Sequence, residues 1–470
     1  MNAKLANLGA TISKALPLCK PTTAEYKKIS LAADKCKKLV EQEAARNADI
    51  VVDVVFGGSF AKGTWLRGDA DVDVFVKMRT SVDLEGFEVM GKNIGLRALK
   101  NYQPELRYSD HPYVEAHVDG IRVNVVPCYD VEQGKWQSAA DRSPFHTEYV
   151  IRNLDEQKKG HVRLLKKFLK SAGIYGAEIS TGGFSGYVSE VLIIKYGSFE
   201  GVLDAFSDLR SRQVMAVNDQ YDPDVVKGFS SPLVVIDPVD PRRNLGTAIS
   251  PESVGKFVLA ARSFISNPSM QFFSRSSRKA SGAKANALYP NMLIVEFRHR
   301  RRSPDVIWGQ LKRSLAAISK QLSIVDFEVL RASCITDEKS SAAMAFLLES
   351  VTLPRLTRRR GPEVFRKADS TSFLQNPKNS RHAHVTWVDA DVRVSMLVDR
   401  KETSAVSYVK ALFGSRLENS GISRDLLADK GSGGTRIRIY NGAQGNKMSE
   451  LAREVVAEIV STEHFILRRV

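Results

Sequence analysis

Apolar positions recur along the chain in two rhythms, and the switches between them divide it. Residues 1–47 carry Ala, Leu and Lys at helical spacing, interrupted by Pro17 and Pro21. The period then shortens to two. Residues 50–56 read as a strand broken by Gly57-Gly58, and 71–77 as a second strand. A helical pattern covers 81–102. Short strands follow at 113–118 and 121–126, joined by the turn pair Asp119-Gly120. Beyond Pro144 the helical period dominates. Residues 155–172 put Leu164, Leu165, Phe168 and Leu169 on one face, with Gly173 suited to the position just past the helix end. Helices are expected at 184–196 and 251–266, with a short apolar run at 233–239 between them. Residues 269–285 are polar, basic and Ser-rich and read as a linker. After it come a strand at 293–298, a helix at 306–322, a strand at 324–332 and a helix at 341–349. No repeat of solenoid period is present. The expected class is α+β in three parts: a mixed-sheet domain (1–150), a helical middle (151–265) and an α+β C-terminal region (266–470).

Composition narrows the class of partner. The 470 residues are 43% hydrophobic and 26% charged, which describes a globular protein of about three domains. No run approaches the ~20 apolar residues of a membrane span, and the N-terminus lacks the continuous apolar core of a signal peptide, so a cytoplasmic location is expected. Four cysteines, none at C-x-x-C spacing, read as reduced thiols and not as a disulfide framework or a zinc site. Lys and Arg outnumber Asp and Glu by 69 to 53, a net charge of +16 that favours polyanionic partners.

The chemistry concentrates after the first strand. Gly57-Gly58-Ser59 leaves a strand for a short helical turn, and glycines without Cβ atoms let a phosphate approach the backbone. Asp71-Val72-Asp73-Val74 follows on the next strand. Alternation puts both aspartates on one face and both valines in the core. Two carboxylates on one face beside a phosphate-binding turn suit a pair of Mg²⁺ ions for phosphoryl transfer. By spacing alone, Lys166 and Lys170 read as the solvated face of an amphipathic helix, His111 and His146 as structural, and Tyr175 as a half-buried aromatic.

The string GGSFAKGTWLRGDADVDVFV is similar to that of archaeal, class I CCA-adding tRNA nucleotidyltransferases, within the polymerase-β nucleotidyltransferase superfamily. The resemblance extends to His111-Pro112-Tyr113-Val114, Val125-Val126-Pro127-Cys128-Tyr129, Asp141 through His146, Arg163 through Lys166, Gly173 through Glu178, Gly183 through Tyr187 and Asp237-Pro238-Val239-Asp240. It is strong over 50–265 and weak beyond, around Arg360-Gly361-Pro362-Glu363. It implies a polymerase-β-like palm, a helical domain completing the nucleotide pocket and a C-terminal tRNA-binding region. The implied reaction is addition of C, C and A to the tRNA 3′ end from CTP and ATP with two Mg²⁺ ions, without a template. Asp71 and Asp73 would be metal ligands. Gly58, Ser59 and Lys62 (commonly Arg in the family) would meet the phosphates, with His111 nearby. His146, Lys166 and Tyr175 would hold triphosphate and sugar, and Arg243 would help recognise the base or its phosphates.

One position departs from the family pattern. Its third aspartate corresponds here to Asn124, which keeps an oxygen but loses the charge and the capacity to take a proton. The chain as written is therefore expected to add nucleotides slowly, with Glu115 and Asp119 the nearest substitutes in sequence. A catalytically silent tRNA-binding protein and a poly(A)-polymerase-like enzyme stay open as alternatives, as does a homodimer. Two basic clusters, 297–302 and 358–360, read either as solvated charge or as contacts to RNA phosphates. Phe272-Phe273 beside Arg275 and Arg278 is a further candidate for RNA contact.

Overall fold

The computed structural model describes residues 2–108, 112–274, 286–376, 383–417, 420–426, 437–463 and 465. The chain forms two compact units, residues 1–277 with 462–470, and residues 278–461.

The first unit opens with α1 (Asn2–Cys19) and α2 (Thr23–Ala44). Pro17 is accommodated near the end of α1, and the break falls at Thr22, which forms a capping box with Glu25. Next come β1 (Val51–Gly57), α3 (Gly58–Lys62), β2 (Asp71–Met78), α4 (Leu84–Ala98), β3 (Glu105–Tyr108), β4 (Pro112–Val118) and β5 (Ile121–Tyr129). They build a mixed sheet in the order β1-β2-β5-β4-β3, with β2 and β5 parallel at its centre. The edge strand β3 lies just past the helix expected to reach residue 102. Its four residues are too few to show a period. Val72, Val74, Val114, Val123 and Val125 are fully buried in one core with Ile29, Val40, Phe87 and Ile94 from α2 and α4. Covering one sheet face with helices leaves the alternate residues of β2 and β5 on the other.

The remainder of this unit is helical: α5 (Arg142–Asn153), α6 (Glu156–Ser171), α7 (Gly186–Tyr196), α8 (Phe199–Ser207), α9 (Pro223–Lys227) and α10 (Pro251–Ser266), with a small parallel pair β6 (Val214–Met215) and β7 (Val234–Val235). Phe168 of α6 centres an aromatic cluster with Phe199, Phe257, Phe264, Phe272 and Phe273. Phe272 and Phe273 are 2% and 4% exposed, which corrects the reading of this pair as an RNA contact. Their apolar area is used to close the helical core. Arg275 and Arg278 lie outside the described residues.

The second unit contains β8 (Met292–Arg298), α11 (Pro304–Ile324), β9 (Val329–Thr336), β10 (Ser341–Leu348), β11 (Leu356–Glu363), α12 (Lys367–Gln375), β12 (Ala383–Val388), β13 (Arg393–Asp399), α13 (Ala405–Phe413), β14 (Arg438–Asn441) and α14 (Glu450–Val460). One antiparallel sheet runs β14-β8-β10-β9 and a second runs β11-β13-β12. Residues 341–349, expected to be helical, form β10 instead. Met344 and Phe346 pack in the core with Leu311 and Ile318 of α11, while Ala343 and Ala345 pack with Ala452 and Val455 of α14. A strand buried on both faces needs no polar alternation, so its unbroken apolar run does not distinguish it from a buried helix. The preceding strand also starts later than expected, because α11 runs to Ile324 and Asp326, at φ +69°, turns the chain before β9. Among the described residues, no helix is long and apolar enough to cross a membrane.

Candidate active site

The sheet face opposite α2 and α4 carries a polar row. In register across β2 and β5, Asp71 pairs with Arg122 and Asp73 with Asn124, while Val72, Val74, Val123 and Val125 point into the core. The Arg122 guanidinium donates to Asp71 Oδ2 at 2.9 Å, and the Asn124 amide donates to Asp73 Oδ1 at 2.9 Å. Ser59 Oγ lies 3.4 Å from Asp71 Oδ1. Gly58 sits at φ +62°, and a Cβ there would fall 1.8 Å from Asp73 Oδ2. The turn thus reaches the carboxylates only because position 58 has no side chain. Burial first, and the Asp71 charge second, push the Asp73 carboxyl up to about 6, against the Asn124 amide, Lys62 and Arg122.

These groups suit a hard cation. Asp73 is met across the strand pair by a neutral amide, and Asn124 Oδ1 is buried without a hydrogen-bond partner among the described residues. Two carboxylates and an amide oxygen make the all-oxygen donor set that Mg²⁺ prefers. No cluster of three or more His, Cys, Asp or Glu side chains suited to a metal occurs among the described residues. Glu115 pairs with Asn124 across β4 and β5 but is engaged by Arg107 at 2.9 Å. Asp119 sits in the β4–β5 turn and is held by Lys35 at 3.0 Å, away from the row.

A second cluster is buried beside the turn. Lys62 at the end of α3, Thr64 just beyond, Lys166 on α6 and Glu190 on α7 meet around one carboxylate. Lys62 Nζ donates to Glu190 Oε2 at 2.8 Å, and Lys166 Nζ to Glu190 Oε1 at 3.1 Å and to the Thr64 carbonyl at 3.2 Å. The Thr64 hydroxyl also donates to Oε1. Burial would raise the Glu190 carboxyl, but Lys166 and Lys62 outweigh it and hold it at about 2. Lys166 is therefore buried and not part of a solvated face, although Lys170, one turn on, pairs with Asp69 at the surface.

His146 of α5 stacks on Tyr187 at 3.9 Å between centroids, and its Nε2 lies 2.8 Å from Asp237 Oδ2. Burial lowers its pKa, against the pull of Asp237, so the ring is neutral near pH 7. Asp237 also accepts from the Tyr187 hydroxyl and the Val239 amide and stands 3.7 Å from Arg243, whose side chain remains 44% exposed. Tyr175 bridges to Phe184, and Lys170 sits over its ring at 5.3 Å. Burial raises its phenol well above the ordinary value.

The structure thus brings Gly58, Ser59, Asp71, Asp73 and Asn124 onto one face, joins Lys62 and Lys166 beneath it, and sets His146 and Arg243 around Asp237. His111 lies outside the described residues. Sequence reading missed Glu190, Thr64, Tyr187 and Arg122 as members of these groups. Glu190 carried a signal. It is the one acid in α7, whose sequence GYVSEVLIIKY is apolar on nearly all sides, and a carboxylate in a buried helix requires a cationic partner.

Comparison with known proteins shows the family of the chain. Residues 34–150 match a nucleotidyltransferase domain, 160–274 the second domain of tRNA nucleotidyltransferase, and 290–422 the C-terminal domain of CCA-adding enzyme. The CCA-adding enzyme of Saccharolobus shibatae is 37% identical over 389 residues, covering 82% of this chain and 90% of that one. That of Methanothermobacter thermautotrophicus is 33% identical over 407 residues, covering 85% and 87%. The solved structure of E. coli MS115-1 CdnC with ATP aligns over 56% of the chain and 94% of its own, at 20% identity and a TM-score of 0.43. With a nucleotidyltransferase domain carrying the carboxylate face and relatives matched over most of their length, the chain belongs to the CCA-adding enzymes, nucleotidyltransferases that act on tRNA to complete its 3′ end.

Proposed function

We propose that this chain adds C, C and A from CTP and ATP at the Asp71–Asp73 face, with two Mg²⁺ ions held by those carboxylates. The observation that carries this reading is the carboxylate pair itself: same-face aspartates against a glycine turn, one raised to about 6 by burial and by the charge of the other. When bound, such ions polarise the phosphoryl oxygens and steady the attacking and leaving oxygens. The turn at Gly58 and Ser59 lets phosphate oxygens approach backbone N–H groups. Lys62 and Lys166 supply positive charge to the triphosphate. His146, neutral and fixed by Asp237, and Tyr175 bound the sugar. Arg243, anchored at Asp237 but half-exposed, reaches toward the base or the RNA end.

Asn124 cannot take the proton of the attacking 3′-hydroxyl, so the chain as written adds nucleotides slowly. The regions divide the work as catalytic palm (1–150), helical nucleotide pocket (151–265) and C-terminal tRNA binding (266–470). Extension of tRNA lacking its 3′ CCA, supplied with CTP and ATP separately, tests the reading. Lys166→Ala should raise KM for both nucleotides alike, because a triphosphate contact is blind to the base, whereas Arg243→Ala should shift the preference between C and A. Identical, base-independent defects in both variants would remove the base-recognition role from Arg243.

A further inference from the structure

The group around Glu190 carries more than a packing role. Lys62, Lys166 and Glu190 are 6%, 1% and 1% exposed, so two ammonium groups share one carboxylate with little contact with water, Lys62 keeping the most. The cluster is one positive charge in excess. Charge buried out of balance is strongly unfavourable unless something completes it. The groups in direct contact are dipoles and rings, the Thr64 carbonyl and hydroxyl at 3.2 Å from Lys166 and the Tyr187 ring 5.1 Å from Lys62, while the Asp73 carboxylate acts on Lys62 through space.

Helix α7 builds this arrangement from one side. Gly186, Tyr187 and Glu190 fall at i, i+1 and i+4, within one face of a 3.6-residue turn. A Cβ at Gly186 would stand 3.1 Å from the Tyr175 hydroxyl and 3.4 Å from Lys166 Nζ, so the first turn of α7 lies directly against both groups. Glu190 then takes Lys62 from the phosphate turn on one oxygen and Lys166 from α6 on the other. The carboxylate thus joins the two lysines, with Lys166 held by Thr64 as well.

We propose that Glu190 is a positioning residue for nucleotide binding, a bracket that sets the places of Lys62 and Lys166 and leaves one positive charge for a triphosphate to neutralise. The inference rests on the reading of those two lysines as phosphate contacts.

Calorimetric binding of CTP and, separately, of inorganic tripolyphosphate tests it on Glu190→Gln, Lys62→Met, Lys166→Met and Lys62→Met with Glu190→Gln, alongside melting temperatures. Glu190→Gln should weaken both ligands by one common factor of about 10-fold, the scale of a lost charge-assisted hydrogen bond. The double variant should lose less than the product of its two single losses, because Glu190 acts through Lys62. A Glu190→Gln protein that melts lower yet binds tripolyphosphate as tightly as the parent, or more tightly, overturns the proposal and leaves an ordinary interhelical ion pair. So do losses that multiply. If Lys62→Met and Lys166→Met both retain full affinity, the phosphate role of the lysines falls first, and the bracket with it. Should Glu190→Gln not fold, Thr64→Val removes the hydroxyl that donates to Oε1 and accepts from Lys166, leaving both charges of that pair in place. It should weaken tripolyphosphate binding about 3-fold, at the level of one neutral hydrogen bond, and unchanged binding would overturn the proposal.

Discussion

The arginine run on β11 and the lysine pair around Glu190 invert what their sequences advertise. Arg358, Arg359 and Arg360 are consecutive and read as a dense positive patch. In the folded chain Arg358 and Arg360 both reach Asp389, Arg360 also reaches Asp391, and Arg359 turns to the other face over the Phe373 ring at 5.7 Å. Two of the three charges are met locally by acids from the β12–β13 hairpin. Lys62 and Lys166 are far apart in sequence and look unremarkable, yet they converge on a single acid and leave charge over. Asp73, met across the strand pair by a neutral amide, feels Lys62 and Arg122 only through space. Available charge is a property of tertiary pairing and not of sequence density.

The largest effect should come from breaking the carboxylate pair. Asp71→Ala or Asp73→Ala should lower nucleotide addition by ~10³-fold or more, the scale of several kcal/mol of lost metal stabilisation. tRNA affinity, measured by filter binding, should stay near that of the parent; undiminished addition would remove the metal role. Next, Asn124→Asp supplies the missing carboxylate in register with Asp73 and should raise the single-turnover rate by ~10²-fold with little change in KM. A chain that is already fast and gains nothing would mean that Asn124 faces no reacting proton.

The raised Asp73 carboxyl adds a pH dependence. Between its ordinary 3.8 and about 6 it binds a proton in the folded chain more than in the unfolded one. Its contribution to metal-free stability is therefore present at low pH and lost as pH rises through that window. Mn²⁺ affinity should show the opposite trend, falling about 10-fold per pH unit below 6, since the carboxylate must shed its proton to bind. Asp73→Asn should flatten both profiles.

The exposed basic residues of the second unit sharpen the comparison from the other side. Replacing Arg300 and Arg301, both exposed, by Ala should weaken tRNA binding roughly 10-fold and lower the salt slope by about 2, without altering CTP binding. The smallest effect is expected for Arg358→Ala with Arg360→Ala, a change of about 2-fold or less in tRNA affinity, because exposed charges already paired with acids have little attraction to spare. A loss of about 10-fold or more from this pair would mean that local pairing is not what limits available charge.

Much of the catalytic architecture was legible in the chain alone. Period-two alternation put Asp71, Asp73 and Asn124 on one strand face and their valine neighbours in the core, because side-chain direction in a strand follows directly from sequence position. The helix boundaries at 251–266 were legible for the same reason of local periodicity, as was the need for glycine in the turn at 57–58. Three things were decided only by tertiary structure. Segment 341–348 is a strand because helices cover it on both faces, which no local period records. Phe272 and Phe273 became core because Phe168 and Phe264 were waiting for them. Glu190 acquired its two lysines because α3, α6 and α7 bring distant residues within 3.1 Å, and attraction between buried charges depends on distance through space and not along the chain.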